Sequence, residues 1–120
     1  PSDDVVAVTF QPSEGPDDLL AKYAAAVEAS PSQEYLILVD LFGGSPYNAA
    51  ARFAAGRDDA DVVTGVNLPM LIEVLGRRMI GGTLPELVET ARTAGAGGVK
   101  VLSEIFTSTT TESDDEGDEL

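Results

Sequence analysis

The sequence predicts an α/β domain: a doubly wound, mainly parallel sheet with helices on both faces. Three observations predict it. Short apolar, β-branched runs alternate with longer segments whose apolar residues recur at helical spacing. The run Tyr35-Leu36-Ile37-Leu38-Val39 is apolar without interruption, as in a strand covered on both faces. The next segment carries Ala49, Ala50, Ala51, Ala54 and Ala55, small enough for a helix to lie close against a sheet.

The elements follow in order. Val5 to Phe10 reads as a buried strand, and residues 11–16 as a loop punctuated by Pro12, Gly15 and Pro16. From Asp17 to Ala29, Leu19, Leu20, Tyr23, Ala24 and Val27 form one helical stripe. Asp17 and Asp18 sit at its start, where the helix dipole favours negative charge. Tyr35 to Asp40 is the central strand. Leu41-Phe42-Gly43-Gly44 is a tight loop, and Ser45-Pro46 is a helix start, with Ser as the cap and Pro at the first helical position. That helix runs to about Ala55 and ends at Gly56. Asp61 to Gly65 is a third strand, Val66-Asn67-Leu68 a loop, and Pro69 to Leu75 a third helix. Thr83 and Glu86 have the spacing of a capping box, before Leu84, Leu87, Val88 and Ala91 at helical spacing. Gly95, Gly97 and Gly98 interrupt this pattern. Val99 to Phe106 fits a strand or a helix, and Val99, Val101, Ile105 and Phe106 favour the strand. Residues 1–106 are therefore expected to form the domain. Residues 107–120, polar and acidic, read as a disordered tail or linker.

Composition narrows the chemistry. A chain of 120 residues with 43% hydrophobic residues builds one core without staples. It contains no Cys and no His, which excludes disulfides, thiolate or imidazole metal sites, and His-dependent catalysis within these residues. Net charge is −14, from 7 basic and 21 acidic side chains. Such a chain is repelled by phosphate backbones and anionic membranes, so no nucleic-acid partner is expected. Six acids fall in the last nine residues; removing them leaves −8, so the domain itself is acidic. No apolar run reaches the ~20 residues of a membrane span, and no membrane insertion is expected. No signal-peptide pattern is visible, so a cytoplasmic location is expected.

Ligands of parallel sheets bind beyond the carboxyl ends of the strands. Two loops occupy such ends: Asp40 to Ser45, and Gly65 to Pro69. In the first, Gly43 and Gly44 let the backbone approach a ligand, a helix N-terminus offers free amides, and Ser45 adds a hydroxyl. That set suits an oxyanion such as a phosphoryl group, with Asp40 beside it to orient or stabilise a cationic group. An ordinary strand–loop–helix turn, with Asp40 as a loop acid, accounts for the same residues equally well. In the second loop Leu68 and Met70 are apolar, either as a partner-docking lip or as packing at a helix start. Phe42 is likewise a partner anchor or a plug over the sheet edge. Arg77 and Arg78 fit a phosphate contact, or more simply a solvated helix end.

The stretch Asp40-Leu41-Phe42-Gly43-Gly44-Ser45-Pro46-Tyr47-Asn48-Ala49-Ala50 is followed after a strand by Gly65-Val66-Asn67-Leu68-Pro69-Met70-Leu71. Together they closely resemble the enzyme IIA domain of the mannose/fructose/sorbose family of the bacterial sugar phosphotransferase system. The likeness extends more loosely from Asp4 to about Phe106, including Gly97-Gly98-Val99-Lys100. It implies a phosphotransferase component that takes a phosphoryl group from the phosphocarrier HPr on a histidine and passes it to a IIB domain, without metal or organic cofactor. It implies that Asp40 orients the histidine, and that Gly43, Gly44 and Ser45 bind the phosphoryl group. It implies that Asn67, Leu68, Pro69 and Met70 form the second rim loop; with Phe42, these residues are expected to contact a partner. It also implies a homodimer that exchanges its C-terminal strand.

One departure is large. The family's histidine ends a first strand, upstream of everything here, and these residues match the family from its second strand onward. A first β–α unit of about thirty residues, which would lie mid-sheet between Val5–Phe10 and Tyr35–Asp40, is expected to be missing. A fragment of a longer protein explains this better than loss of the phosphorylation function, because deletion of a central strand leaves edge groups unpaired. These residues alone are expected to be inactive. The alternative reading is a non-catalytic dimerisation or interaction module of the same fold. A receiver-like domain with Asp40 as phosphoacceptor fits poorly, since Asp3 and Asp4 precede their strand instead of ending it.

Overall fold

The computed structural model describes residues 5–106. Helix α1 spans Pro16–Ala29, strand β1 Tyr35–Leu38, helix α2 Ser45–Ala54, strand β2 Ala60–Val63, helix α3 Leu68–Met79 and helix α4 Leu84–Gly97. The two strands pair in parallel, with Ile37 opposite Val62 and Leu38 opposite Val63. Side chains alternate across such a ladder, and the alternation builds three layers. Ile37 and Val62 pack against Leu19 and Tyr23 of α1 and Ala49 and Ala50 of α2. Leu36, Leu38 and Val63 pack on the other side against Met70 and Val74 of α3 and Ala91 of α4. Ala49, Ala50 and Ala91 are fully buried, which is why helices that carry them approach the sheet closely.

Local chemistry sets the helix ends. The N–H of Gly15 donates to Asp18 Oδ2 at 2.8 Å at the start of α1. The capping box of α4 forms as expected: Thr83 N–H donates to Glu86 Oε1 at 2.9 Å, and Glu86 N–H to Thr83 Oγ1 at 3.4 Å. A Thr cap is worth about 1 kcal/mol. The Thr83 N–H, with Arg77 nearby, holds the Glu86 carboxyl below its ordinary value. Arg77 Nη2 lies 3.1 Å from Glu86 Oε1, so this cation joins α3 to α4. Arg57 closes on both oxygens of Asp59, at 2.8 and 2.9 Å, and sits 4.4 Å over the Phe53 ring. None of the helices crosses a membrane: among the described residues none is long and apolar enough.

Several expectations are corrected. The sheet has two strands among the described residues, fewer than expected, parallel and covered by helices on both faces as expected. Val5–Phe10 forms no ladder, and Val5, Val6 and Phe10 stay exposed, although Val8 packs on the α1–α2 core. A strand is stable only against a neighbour, and this segment has none among the described residues. For the same reason β1, expected to be fully buried, is half-buried along its length. Val99–Phe106 is not a strand: residues 102–106 form a short helical turn, begun by Glu104 and Ile105 N–H bonds to Val101 O. The glycines do not end α4 at Gly95; the helix runs to Gly97 and Gly98 caps it. The cap of α2 is Gly44, not Ser45, which is the first helical residue. Helix α3 starts at Leu68 and extends to Met79, past the expected Leu75. The proposed tail, 107–120, lies outside the described residues.

Candidate functional site

Both rim loops leave the carboxyl ends of β1 and β2. They are stitched together by the backbone, since Val39 N–H donates to Val63 O at 3.0 Å and Val66 N–H returns to Val39 O at 3.1 Å. Asp40 follows Val39 directly. It is exposed, and its carboxylate has no hydrogen-bond partner among the described residues. The chain then turns at Leu41–Gly44, closed by a Gly44 N–H bond to Leu41 O at 3.3 Å. Gly43 takes φ +88°, a conformation that side chains with a Cβ disfavour.

Helix α2 begins at Ser45 with no side-chain cap, and Pro46 fills its first turn without an N–H to satisfy. The Ser45 and Tyr47 amides and the positive end of the helix dipole therefore point out of the rim. The expected contribution of the Gly43–Gly44 amides is narrower than the sequence suggests, because the Gly44 N–H closes the turn. What the rim can do chemically is receive an oxyanion at the helix start, with a hydroxyl from Ser45 and a free carboxylate from Asp40 beside it. The Arg52, Arg57, Arg77 and Arg92 guanidinium groups pair with carboxylates elsewhere.

The partner-contact residues divide. Phe42 is 71% exposed, with its ring 4.7 Å from the Tyr47 ring, so it does not plug the sheet edge. Leu68 is 67% exposed, and Pro69 is exposed beside it. Met70 is corrected: at 3% exposed it belongs to the core, under α4. Asn67 is committed within the chain. Its Oδ1 accepts from Met70 N–H at 3.0 Å as the cap of α3, and its Nδ2 donates to Gly95 O at 3.1 Å on α4.

Three residues around the site escape sequence reasoning. Tyr23, on α1, donates from its hydroxyl to Pro46 O at 2.9 Å. Burial pushes the Tyr23 phenol up from its ordinary pKa. The Tyr47 ring lies tilted at 45° against Phe42, and Asn48 Nδ2 donates to Gly43 O at 3.2 Å. Tyr23 carries no signal, since its stripe reads as core. Asn48 does carry one: an exposed amide one turn into an alanine-rich helix, just after a glycine loop.

Residues 1–92 match the family model EIIA-man, described as the PTS system fructose IIA component. The mannose-specific EIIAB component of Escherichia coli (strain K12) is 40% identical over 96 residues, which cover 79% of this chain and 30% of that protein. The fructose-specific EIIA component of Bacillus subtilis (strain 168) is 49% identical over 75 residues, covering 62% and 51%. The chain thus spans about a third to a half of the length of these relatives. The crystal structure of a phosphotransferase system component EIIA from Streptococcus agalactiae superposes with a TM-score of 0.73 at 26% identity, over 81% of this chain and 75% of that one. The motif of the rim, the helices over a small parallel sheet and the match over residues 1–92 agree: the chain belongs to the EIIA family of the mannose/fructose/sorbose branch of the sugar phosphotransferase system.

Proposed function

We propose that these residues form the phosphoryl-receiving rim of a IIA component that relays phosphate from HPr to a IIB domain. The observation that carries the reading is the Asp40–Pro46 rim, one short loop that holds a carboxylate without a hydrogen-bond partner among the described residues, a helix start with no side-chain cap, and a hydroxyl. The acceptor would be a histidine outside this sequence, which contains none. In each transfer one N–P bond breaks on the donor imidazole and one forms on the acceptor imidazole. Asp40 would stabilise the charge that develops on the acceptor ring, and Ser45 with the α2 amides would hold the phosphoryl oxygens. Phe42, Leu68 and Pro69 would form the apolar contact with HPr or IIB, and a homodimer would complete the assembly.

The test uses phosphoenolpyruvate, enzyme I and HPr. Residues 1–120 alone should take up no acid-labile phosphate. The same residues joined to a family-type first β–α unit with its histidine should be phosphorylated and should pass the group to IIB. Incorporation into residues 1–120 alone, or none into the joined chain, overturns the reading. The lack of histidine favours a second reading, a non-catalytic interaction module of the same fold. A joined chain that dimerises but never accepts phosphate would support it.

A further inference from the structure

Asn48 stands on the exposed side of α2, beside the fully buried Ala49 and Ala50. No core contact asks for an amide at this place, and asparagine is a poorer helix former than its alanine neighbours. Its side chain turns back to the rim instead. Nδ2 donates to Gly43 O at 3.2 Å, and the Asn48 backbone N–H donates to Gly44 O at 2.9 Å. One residue thus holds two successive carbonyls of the glycine pair.

Neither residue of that pair has a side chain of its own to fix its peptide planes. Gly43 has φ +88° and open space where a Cβ would stand. The turn itself is closed by one bond of 3.3 Å, at the long end for an N–H donor. A peptide unit between two glycines rotates with little steric resistance. A Gly43 carbonyl rotated toward the rim would present its negative end to an incoming anion.

We propose that Asn48 is a positioning residue for this rim: it holds the Gly43 carbonyl against α2, so that only the donors of the α2 start face the bound phosphoryl group. The inference rests on the phosphotransfer reading given above. It concerns orientation, so the consequence falls on the transfer step and not on docking of the donor protein.

Asn48→Ala tests it, because alanine is the better helix former and the variant should fold at least as well. In the chain joined to its acceptor histidine, the rate of phosphorylation by phospho-HPr should fall about tenfold or more, since small misplacements of a reacting group cost up to ~10²-fold. KM for HPr should not change, and Tm should stay level or rise. In residues 1–120 the backbone ¹⁵N order parameters of Gly43 and Gly44 should fall. An unchanged rate in the presence of normal wild-type transfer overturns the proposal. So does a rate that falls only in step with Tm, or with KM alone. If the wild-type chain accepts no phosphate, the phosphotransfer reading itself fails, and unchanged order parameters would then dispose of the Asn48 restraint as well.

Discussion

Tyr23 shows how one residue ties the site to the core. Its ring is buried between α1 and α2, edge-on to Phe53 at 6.4 Å, while its hydroxyl reaches Pro46 O in the first turn of α2. A buried phenol without a partner costs free energy, and the bond to the helix start satisfies it at the place where the rim must be rigid. Asp40 is the opposite case. It follows the last ladder bond of β1, is exposed, and its carboxylate has no hydrogen-bond or ion-pair partner among the described residues. Asp40→Asn should therefore leave Tm within about 2–4 °C, a surface substitution being worth roughly ±0.5 kcal/mol. In the joined chain it should slow phosphotransfer by about tenfold or more. Equal transfer rates in mutant and wild type would make Asp40 a plain loop acid. The Asp40, Gly43, Gly44 and Ser45 cluster was legible in the sequence because a glycine pair before a helix start is a local pattern. The burial of Met70 and the Asn67 bond to Gly95 O were not legible, because both depend on α4, which packs from roughly 15 to 30 residues downstream.

At the scale of elements, the α3–α4 contact is set by glycine. A Cβ at Gly95 would stand 2.6 Å from Met70 Cε, and one at Gly98 2.8 Å from Pro69 Cγ. A Cβ at Gly97 would meet nothing within 4 Å. Sequence periodicity treats all three as breaks, since glycine is a poor helix former; here Gly95 is the place where two helices approach. The two sites should respond with opposite signs. Gly95→Ala forces the flexible end of buried Met70 to shift within the core, and should cost about 1 kcal/mol net, overpacking of ~1–3 exceeding the propensity gain. Gly97→Ala should stabilise by a few tenths up to about 1 kcal/mol. Urea denaturation of the two variants checks the signs, and equal shifts would mean that Met70 simply moves aside. The regular elements were legible for a related reason. β1, α2 and α4 carry apolar patterns and end signals in their own residues. Val5–Phe10 and Val99–Phe106 carry strand-like residues, but a strand also needs a neighbour, and no local pattern supplies one.

On the scale of the whole molecule, the two segments that lack a neighbour leave apolar surface uncovered. Val99 is 74% and Phe106 52% exposed, with Val101, Leu102 and Ile105 also exposed between them. A five-residue helical turn is far below the ~12 residues at which isolated helices become stable in water, so little opposes its conversion to an extended strand. Meanwhile β1 pairs only with β2 among the described residues, and exposed apolar segments of this kind mark association surfaces. The proposed C₂ dimer, in which each Val99–Phe106 segment pairs with a sheet edge of the second subunit, covers that segment. Electrostatics works against it, because two chains of net charge −14 repel each other, and this repulsion is screened within about 8–10 Å at moderate salt. The dimer should therefore tighten as NaCl rises from about 20 to 500 mM. Truncation after Gly98 should give monomers or aggregates, while truncation after Thr107 should leave the dimer intact and less salt-sensitive, since the six acids of the last nine residues go with it. Analytical ultracentrifugation decides: a folded monomer of residues 1–120 at micromolar concentration and 500 mM salt would mean that the segment stays with its own subunit and the dimer does not form.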